Sequence, residues 1–166
     1  MKFEHEIRIF IVDDDPFTRE LYHQHLINLG YKDIHVLENG AVCLNCLPLE
    51  PNVIFLDYNT GGINGLELIQ IIKRVNPGIY VVLVSGHENL MVVADSLHQS
   101  AFDYIVKGDT DTGRIEEILG KIHSIQRFLV QLPENTGHNG ANALGRIFKK
   151  TETPGSVPDS ATKQIY

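Results

Sequence analysis

The sequence predicts a doubly wound α/β domain built on a five-stranded parallel sheet, and two observations support this fold class. First, five short apolar segments rich in β-branched residues recur between residues 7 and 106. Most of them are continuously apolar rather than alternating, which is typical of strands covered on both faces in a parallel sheet. Second, segments with helical periodicity separate them, and a regular alternation of strands and helices favours this architecture.

The predicted strands cover residues 7–12, 34–37, 53–56, 79–84 and 104–106. The first helix is predicted to begin after Asp15, because aspartate is a good N-cap and the following proline suits the first helical turn. A stripe with i, i+4 spacing supports this helix and is formed by Phe17, Leu21, His25 and Leu29, and Gly30 is predicted to end it. Further helices are predicted over 65–75, 88–99 and 112–129. The last of them carries one apolar face, formed by Ile115, Ile118, Leu119, Ile122, Ile125 and Leu129.

Composition and charge exclude several classes of protein. The 166 residues include 14 basic and 21 acidic side chains, a net charge of −7 that a phosphate backbone would repel. No apolar run reaches the roughly 18–20 residues needed to cross a bilayer, and the acidic N-terminus lacks the features of a signal peptide. Two cysteines cannot form a disulfide framework. We therefore expect a cytoplasmic protein that binds neither nucleic acid nor membranes.

The composition changes near residue 130. From Pro133 onwards, 16 of 34 residues are glycine, proline, serine, threonine or asparagine. Such a segment is typical of a linker or tail. The sequence therefore predicts one domain over residues 1–130, followed by a flexible or loosely packed C-terminal tail over 131–166 with no effector domain.

Polar side chains follow four of the predicted strands. Three aspartates follow the first strand, one follows the third, a serine follows the fourth and a lysine follows the fifth, namely Asp13, Asp14, Asp15, Asp57, Ser85 and Lys107. The carboxyl ends of parallel strands lie at one edge of a sheet, where open α/β sheets bind ligands. We therefore expect these side chains to lie close together.

The chemistry of this set favours phosphoryl transfer. Crowded carboxylates repel one another, and a hard divalent cation such as Mg²⁺ relieves the repulsion through oxygen ligands. Lys107 supplies a point charge suited to a phosphoryl oxygen, and Ser85 supplies a hydrogen-bond donor for a second oxygen. Asp57 is the natural nucleophile, because a carboxylate can accept a phosphoryl group as an acyl phosphate.

Over about residues 5–130 the chain resembles the receiver domains of two-component response regulators. The resemblance rests on segments in the family's order and spacing: Ile11-Val12-Asp13-Asp14-Asp15, Asp57, Ser85-Gly86 and Tyr104-Ile105-Val106-Lys107. It implies a flavodoxin-like (βα)₅ fold with strand order 2-1-3-4-5. It also implies Mg²⁺-dependent phosphoryl transfer from a histidine kinase or phosphotransfer protein, as in a phosphorelay. The chain would then catalyse only its own phosphorylation and dephosphorylation, and would not be an enzyme in the usual sense.

The resemblance also implies a role for each matching residue. Asp57 is the phosphoacceptor, assisted by Lys107 and Ser85, and the switch residues are Ser85 and Tyr104. The Mg²⁺ ligands are the carboxylates of Asp13, Asp14 and Asp57 and the backbone carbonyl of Asn59. Dephosphorylation is tuned by Asn59 and His87, for which an ordinary surface histidine is the alternative. The phosphodonor docks on Phe17, Thr18, Leu21 and Gly108, with core packing as the alternative for Phe17 and Leu21.

Two further points depend on this resemblance. The family commonly has a cis proline after the lysine, whereas Gly108 stands here, so the sequence leaves the isomer of the Lys107–Gly108 bond open. A tail this short implies a stand-alone receiver that signals through contacts with an unknown downstream protein.

The alternative function is a haloacid-dehalogenase-type phosphatase with Asp13 as nucleophile. The pair Asp13 and Asp15 superficially fits the motif of that family. However, the motif requires threonine or valine where Phe17 stands, and that fold gives Asp57 no role.

Overall fold

The structure is a computed structural model that describes residues 7–86, 90–108 and 111–131, and of residues 90–93 only the backbone. Its strands are β1 (Ile9–Val12), β2 (Ile34–Leu37), β3 (Val53–Asp57), β4 (Tyr80–Ser85) and β5 (Asp103–Val106). Its helices are α1 (Pro16–Asn28), α2 (Gly40–Cys46), α3 (Gly65–Val75), α4 (Leu90–His98) and α5 (Asp111–Gln131), with one 3₁₀ turn at Leu47–Leu49. The chain divides into two compact units, Met1–Phe128 and Leu129–Tyr166, and the site described below lies in the first.

The five strands form one parallel sheet in the order β2-β1-β3-β4-β5, which confirms the predicted fold class and strand order. The three central strands are almost wholly buried, as their continuous apolar sequences require when helices cover both faces. Within the described residues, no helix combines the length and apolarity that a bilayer crossing demands.

Successive residues of each strand point to opposite faces, so the sheet separates two hydrophobic cores. One core joins Ile9, Ile11 and Phe55 to residues of α1 and α5. The other joins Phe10, Val12, Ile54 and Leu56 to residues of α2 and α3. Burial of both faces fixes the strand register, and with it the position at which each strand ends.

The structure shows which face of α1 is buried against the sheet. Phe17 and Leu21 are 75% and 42% exposed, whereas Tyr22 and Leu26 are fully buried. The buried face of α1 therefore lies about one residue, or 100° around the helix, from the stripe that contains Phe17 and Leu21. Two neighbouring stripes on α1 carry apolar residues at i, i+4 spacing, so periodicity alone could not distinguish them.

The predicted buried face of α5 is confirmed over its first half only. Ile115, Ile118, Leu119 and Ile122 are at most 1% exposed, but Ile125 and Leu129 are 38% and 55% exposed. A helix of 21 residues is about 32 Å long. Strands of four to six residues span at most about 20 Å, so the sheet can cover only part of such a helix.

Candidate functional site

Four neighbouring strands end at the carboxyl edge of the sheet and bring the predicted polar residues together. Asp13 follows β1, Asp57 is the last residue of β3, Ser85 is the last residue of β4, and Lys107 follows β5. The register aligns these ends, because Val12 pairs with Leu56, and Ser85 pairs with Val106. Residues separated by up to 94 positions in the sequence thereby form one site.

An ion-paired lysine lies at the centre of this site. Lys107 Nζ lies 2.6 Å from Asp13 Oδ2 and 3.0 Å from Asp57 Oδ1. Both aspartates are almost fully buried, with Asp13 3% and Asp57 5% exposed, while the Lys107 side chain is 24% exposed. One ammonium group therefore partly neutralises two buried carboxylates and leaves the site with excess negative charge.

Burial and these contacts shift the pKa values of both Asp57 and Lys107. Burial raises the pKa of Asp57, and the negative charge of Asp13 adds to this; the Lys107 hydrogen bond and charge oppose the shift without reversing it. Burial alone would lower the pKa of Lys107, but hydrogen bonds to Asp13 and Asp57 outweigh it and raise the value overall. Lys107 is therefore held as a cation, and ionised Asp57 is held at an energetic cost.

The residues present fit a divalent cation that prefers oxygen ligands. Asp13, Asp14 and Asp57 each offer a carboxylate oxygen, and these oxygens all lie within 4.8 Å of one another. Asp14 is exposed while the other two are buried, so the cluster opens to solvent on one side. Three carboxylates with a single ammonium group match the chemistry of a Mg²⁺ site.

The third aspartate of the run has a different task. Asp15 is the N-cap of α1: its Oδ1 accepts a hydrogen bond from the Phe17 backbone N–H at 3.2 Å. Its Oδ2 accepts from the backbone N–H of Thr18 at 3.0 Å and from the Thr18 hydroxyl at 2.6 Å. Both carboxylate oxygens of Asp15 are therefore used in starting the helix.

Asp14 lies in the acidic cluster and Asp15 caps α1, so substitutions of these adjacent residues should have different effects. We expect Asp14→Ala to weaken Mg²⁺ binding at least about 10-fold while leaving thermal stability nearly unchanged, because an exposed ligand is lost. Asp15→Ala should instead lower the Tm and leave Mg²⁺ affinity within about twofold, because a cap is lost. Calorimetric Mg²⁺ titration and thermal denaturation of both variants measure the two effects. Equal loss of Mg²⁺ affinity in both would contradict the assignment.

The loop between β3 and α3 carries Asn59 and is held at several points. The Asn59 N–H donates to Asp57 Oδ2 at 3.2 Å, and Asn59 forms an antiparallel bridge with Asn64. Thr60 is 1% exposed, and its hydroxyl donates to the Ile63 carbonyl. A Cβ at Gly65 would lie 2.9 Å from Tyr58 Cα, so α3 starts directly against the backbone that follows Asp57. This anchoring holds the Asn59 segment beside Asp57.

The remaining predicted residues lie around this centre. Ser85 is 1% exposed. Tyr104 is 8% exposed and packs in the core on the α2 and α3 side of the sheet. The Ser85 carbonyl accepts the Lys107 N–H at 2.9 Å, which ties β4 to the lysine. The Lys107–Gly108 peptide bond is trans. His87 lies outside the described residues.

Phe17, Thr18 and Leu21 lie at the start of α1, directly after the acidic run. Their exposure bears on the alternative of core packing for Phe17 and Leu21. Phe17 is 75% exposed and Leu21 42% exposed, so neither is a core residue. An exposed phenylalanine and leucine one turn apart form a small apolar surface on the helix that follows Asp15.

Sequence reasoning missed two contacts made by the segments that surround the site. Arg19 donates from Nη1 to the Asp13 backbone carbonyl at 2.6 Å and so braces the turn between β1 and α1. Asp111 is 6% exposed and accepts a hydrogen bond from the Tyr22 hydroxyl at 3.1 Å. The first contact spans six residues and is consistent with an arginine in the first turn of a helix, whereas nothing in the sequence signals the second.

The chain is similar in sequence to bacterial response regulators. The chain is 36% identical over 101 residues to the nitrogen assimilation regulatory protein NtrX of Azorhizobium caulinodans, which covers 60% of this chain and 22% of that protein. It is 26% identical over 116 residues to the chemotaxis protein CheY of Thermotoga maritima, covering 69% of this chain and 96% of that protein. The matched stretch thus spans about a fifth of NtrX but nearly all of CheY.

A solved structure shows the same fold. The response regulator protein TrrA of Thermotoga maritima, crystallised with Mg²⁺ and BeF, superposes with a TM-score of 0.62 at 29% identity, covering 70% of this chain and 98% of that chain. The family model for the response regulator receiver domain matches residues 9–119, about two thirds of the chain. The acidic cluster of Asp13, Asp14 and Asp57 fits the phosphoaspartate and Mg²⁺ site of such domains. The chain belongs to the response regulator receiver domain family of two-component systems.

Proposed function

We propose that this receiver domain accepts a phosphoryl group on Asp57 from the phosphohistidine of a histidine kinase or phosphotransfer protein. The observation that supports this most directly is the buried Asp57 carboxylate, with Lys107 Nζ at 3.0 Å and two further carboxylates within 4.8 Å. Membership of the receiver domain family supports this proposal over the phosphatase alternative with Asp13 as nucleophile, since that alternative gives Asp57, at the end of β3, no role.

In the proposed reaction, an Asp57 carboxylate oxygen attacks the phosphorus atom. A new P–O bond forms, the P–N bond to the donor imidazole breaks, and the electron pair passes to the imidazole nitrogen. Lys107 and the Ser85 hydroxyl stabilise the phosphoryl oxygens. Mg²⁺, held by the carboxylates of Asp13, Asp14 and Asp57 and the Asn59 carbonyl, would neutralise charge on the transferred group. The reaction modifies the protein itself, so we propose no enzymatic activity towards other molecules.

The donor would approach along α1. The exposed Phe17 and Leu21, with Thr18 beside them and Gly108 across the site, form the proposed docking surface. At Gly108, a Cβ would meet no atom within 4 Å, so the chain leaves open space there for a partner. In this proposal, Asn59 and His87 flank the acyl phosphate and tune its lifetime.

Phosphorylation would act on the surface formed by α4, β5 and α5. We propose that Ser85 moves towards the new phosphoryl oxygens and that Tyr104 on β5 moves with it, shifting a two-state equilibrium. The adjacent Asp103 pairs with Arg114 at 2.9 Å and with Lys121 at 3.5 Å, so that β5 is fastened to α5. This fastening offers a route by which a shift of β5 would reach a downstream protein.

We further place the protein in the cytoplasm, where response regulators typically act. The expectation that the receiver works without an effector domain stays a prediction. Relatives contain this domain both as nearly the whole protein, as in CheY, and as a small part of it, as in NtrX.

The proposed function is tested by incubating the full chain with acetyl phosphate and Mg²⁺. We expect intact-mass spectrometry to show one added phosphoryl group. We also expect hydroxylamine to remove it, since acyl phosphates react with this nucleophile, and EDTA to prevent its formation. Peptide mapping after borohydride reduction should place the modification at residue 57. No modification, or one that resists hydroxylamine, would contradict the proposal.

A further inference from the structure

A buried hydrogen bond joins α1 to the start of α5. The Tyr22 hydroxyl donates to Asp111 Oδ2 at 3.1 Å, across 89 residues of sequence. Tyr22 is 1% exposed and Asp111 6% exposed, and the Tyr22 ring meets Phe55 edge-on at a centroid distance of 6.4 Å. Because both polar groups are withdrawn from water, removing either would leave the other at a large desolvation cost.

The bond joins two segments that carry opposite charges of the site, with Asp13 and Asp14 before α1 and Lys107 before α5. Tyr22 lies on the helix that starts directly after the acidic run, and Asp111 lies four residues after Lys107. The Asp111 N–H also donates to the Gly108 carbonyl at 3.3 Å, which ties Asp111 to the segment that follows the lysine. A fixed Tyr22–Asp111 distance therefore restricts where the Lys107 segment can lie relative to Asp13.

The Tyr22 hydroxyl is suited to act as a permanent donor. Burial raises its pKa well above the usual value, and the negative charges of Asp111, Asp13 and Asp57 raise it further. The hydroxyl is thus held in its protonated form as a hydrogen-bond donor, and it lies within the electrostatic field of the site carboxylates.

We infer that Tyr22 is a positioning residue for phosphoryl transfer. By holding Asp111, it fixes the segment that carries Lys107, so that the ammonium group is aligned with Asp57 before a phosphoryl group arrives. Alignment in advance matters because a charge that must be reoriented during the reaction stabilises the transition state less. This inference rests on the proposed function of Asp57 and adds a residue outside the ion-paired cluster.

The chain offers a matched control at the other end of α5. The Tyr31 hydroxyl lies 2.9 Å from His123 Nε2, and Tyr31 is 5% exposed. This pair also joins the region of α1 to α5, but it lies twelve residues beyond Asp111, about 18 Å along the helix. Tyr31→Phe therefore removes a comparable buried hydroxyl without touching the Lys107 segment.

The test measures Mg²⁺ affinity and the Mg²⁺-dependent affinity for beryllofluoride, a phosphoryl mimic, by calorimetry on the full chain. We expect Tyr22→Phe to keep Mg²⁺ affinity within about twofold, because every carboxylate remains, and to weaken beryllofluoride binding about 10-fold. Tyr31→Phe should change neither affinity, although its Tm should fall about as much. Thermal stability alone would not produce this split.

Two substitutions at Asp111 keep the inference testable if Tyr22→Phe does not fold. Asp111→Asn retains an oxygen acceptor for the Tyr22 hydroxyl and should bind beryllofluoride like the wild type. Asp111→Ala removes the acceptor and should weaken binding about 10-fold, as Tyr22→Phe does. If Asp111→Asn loses affinity equally, the charge of Asp111 acts rather than the hydrogen bond, and the inference is wrong.

The remaining outcomes separate this inference from the proposed function. A wild-type chain that binds neither Mg²⁺ nor beryllofluoride would overturn the proposed function itself. A wild-type chain that binds both, with Tyr22→Phe and Asp111→Ala binding equally well, would overturn only the role of Tyr22. An equal loss in Tyr31→Phe would show a general effect of stability and would also overturn it.

Discussion

Asp57→Asn is expected to abolish phosphoryl uptake from acetyl phosphate, to below about 1% of the wild-type level, because an amide oxygen is too weak a nucleophile to form the acyl phosphate. The substitution preserves the shape of a side chain that is 5% exposed and bonded to the Asn59 N–H. The fold should therefore survive. Intact-mass spectrometry of both proteins measures the difference directly.

A matched control makes the same chemical change at the opposite edge of the sheet. Asp33 precedes β2 and pairs with Arg8 at 2.9 Å, away from the acidic cluster. Asp33→Asn should label like the wild type, which separates loss of the nucleophile from loss of one surface charge. Wild-type labelling of Asp57→Asn would mean that another residue accepts the phosphoryl group.

The same variant should be more stable than the wild type in Mg²⁺-free buffer at neutral pH. The folded state raises the pKa of Asp57 above its usual value of 3.8, so it holds the proton more tightly than the unfolded state does. Stability therefore falls as pH rises above about 3.8, and ionised Asp57 is a cost at pH 7.

Asparagine carries no such cost. The Tm of Asp57→Asn should exceed that of the wild type at pH 7, and the two should be nearly equal at about pH 3.5. Each kcal/mol of difference in the free energy of unfolding corresponds to roughly 4 °C in Tm. Added Mg²⁺ should raise the Tm of the wild type more than that of the variant. A variant that is less stable than the wild type at pH 7 without Mg²⁺ would show that burial of Asp57 is fully compensated in the fold.

The main features of the fold and of the site were predictable because each depends on local sequence. Continuous apolar runs mark strands covered on both faces, and a parallel sheet then places all their carboxyl ends at one edge. Asp57 and Lys107 could be expected to meet on this argument alone, and the structure places them 3.0 Å apart. No knowledge of side-chain packing was needed for that step.

What the sequence did not reveal depends on packing between distant segments. The rotation of α1 is set by which of two neighbouring stripes fits the sheet, and Tyr22 is buried there while Leu21 is 42% exposed. Once Tyr22 is buried, its hydroxyl requires a partner, which Asp111 supplies from α5. Such a pair leaves no local pattern, since neither a lone tyrosine nor a lone aspartate signals burial.

Assignment within the run of three aspartates also required the structure. Composition alone allows any of them to hold a cation. The geometry separates them because both oxygens of Asp15 accept hydrogen bonds from residues at the start of α1. A helix cap and a metal ligand are thus adjacent in sequence but distinct in space.

Lys107→Met is expected to lower both stability and reactivity, because it removes the ammonium group that pairs with the carboxylates of both Asp13 and Asp57. Breaking a buried ion pair from one side costs about 3–5 kcal/mol, and partial exposure of the lysine places this one near 2–3 kcal/mol at pH 7. The rate of labelling by acetyl phosphate should fall about 100-fold, as for loss of one charge-stabilising donor.

The pH dependence of this variant gives a sharper test of the same contact. In the wild type the pKa of Lys107 is raised above 10.5, so its stabilising contribution is present below that pH and is lost only as pH rises further. The deficit of Lys107→Met should therefore be large at pH 7 and shrink in acid, where Asp57 takes up its proton. Lys121→Met is the control and should alter stability little, since Lys121 pairs with Glu117 at 2.9 Å and with Asp103 at 3.5 Å on the surface, where exposed ion pairs contribute little. If Lys107→Met lost the same amount of stability at pH 4 and at pH 7, the loss would come from side-chain packing. It would then not come from the ion pairs with Asp13 and Asp57.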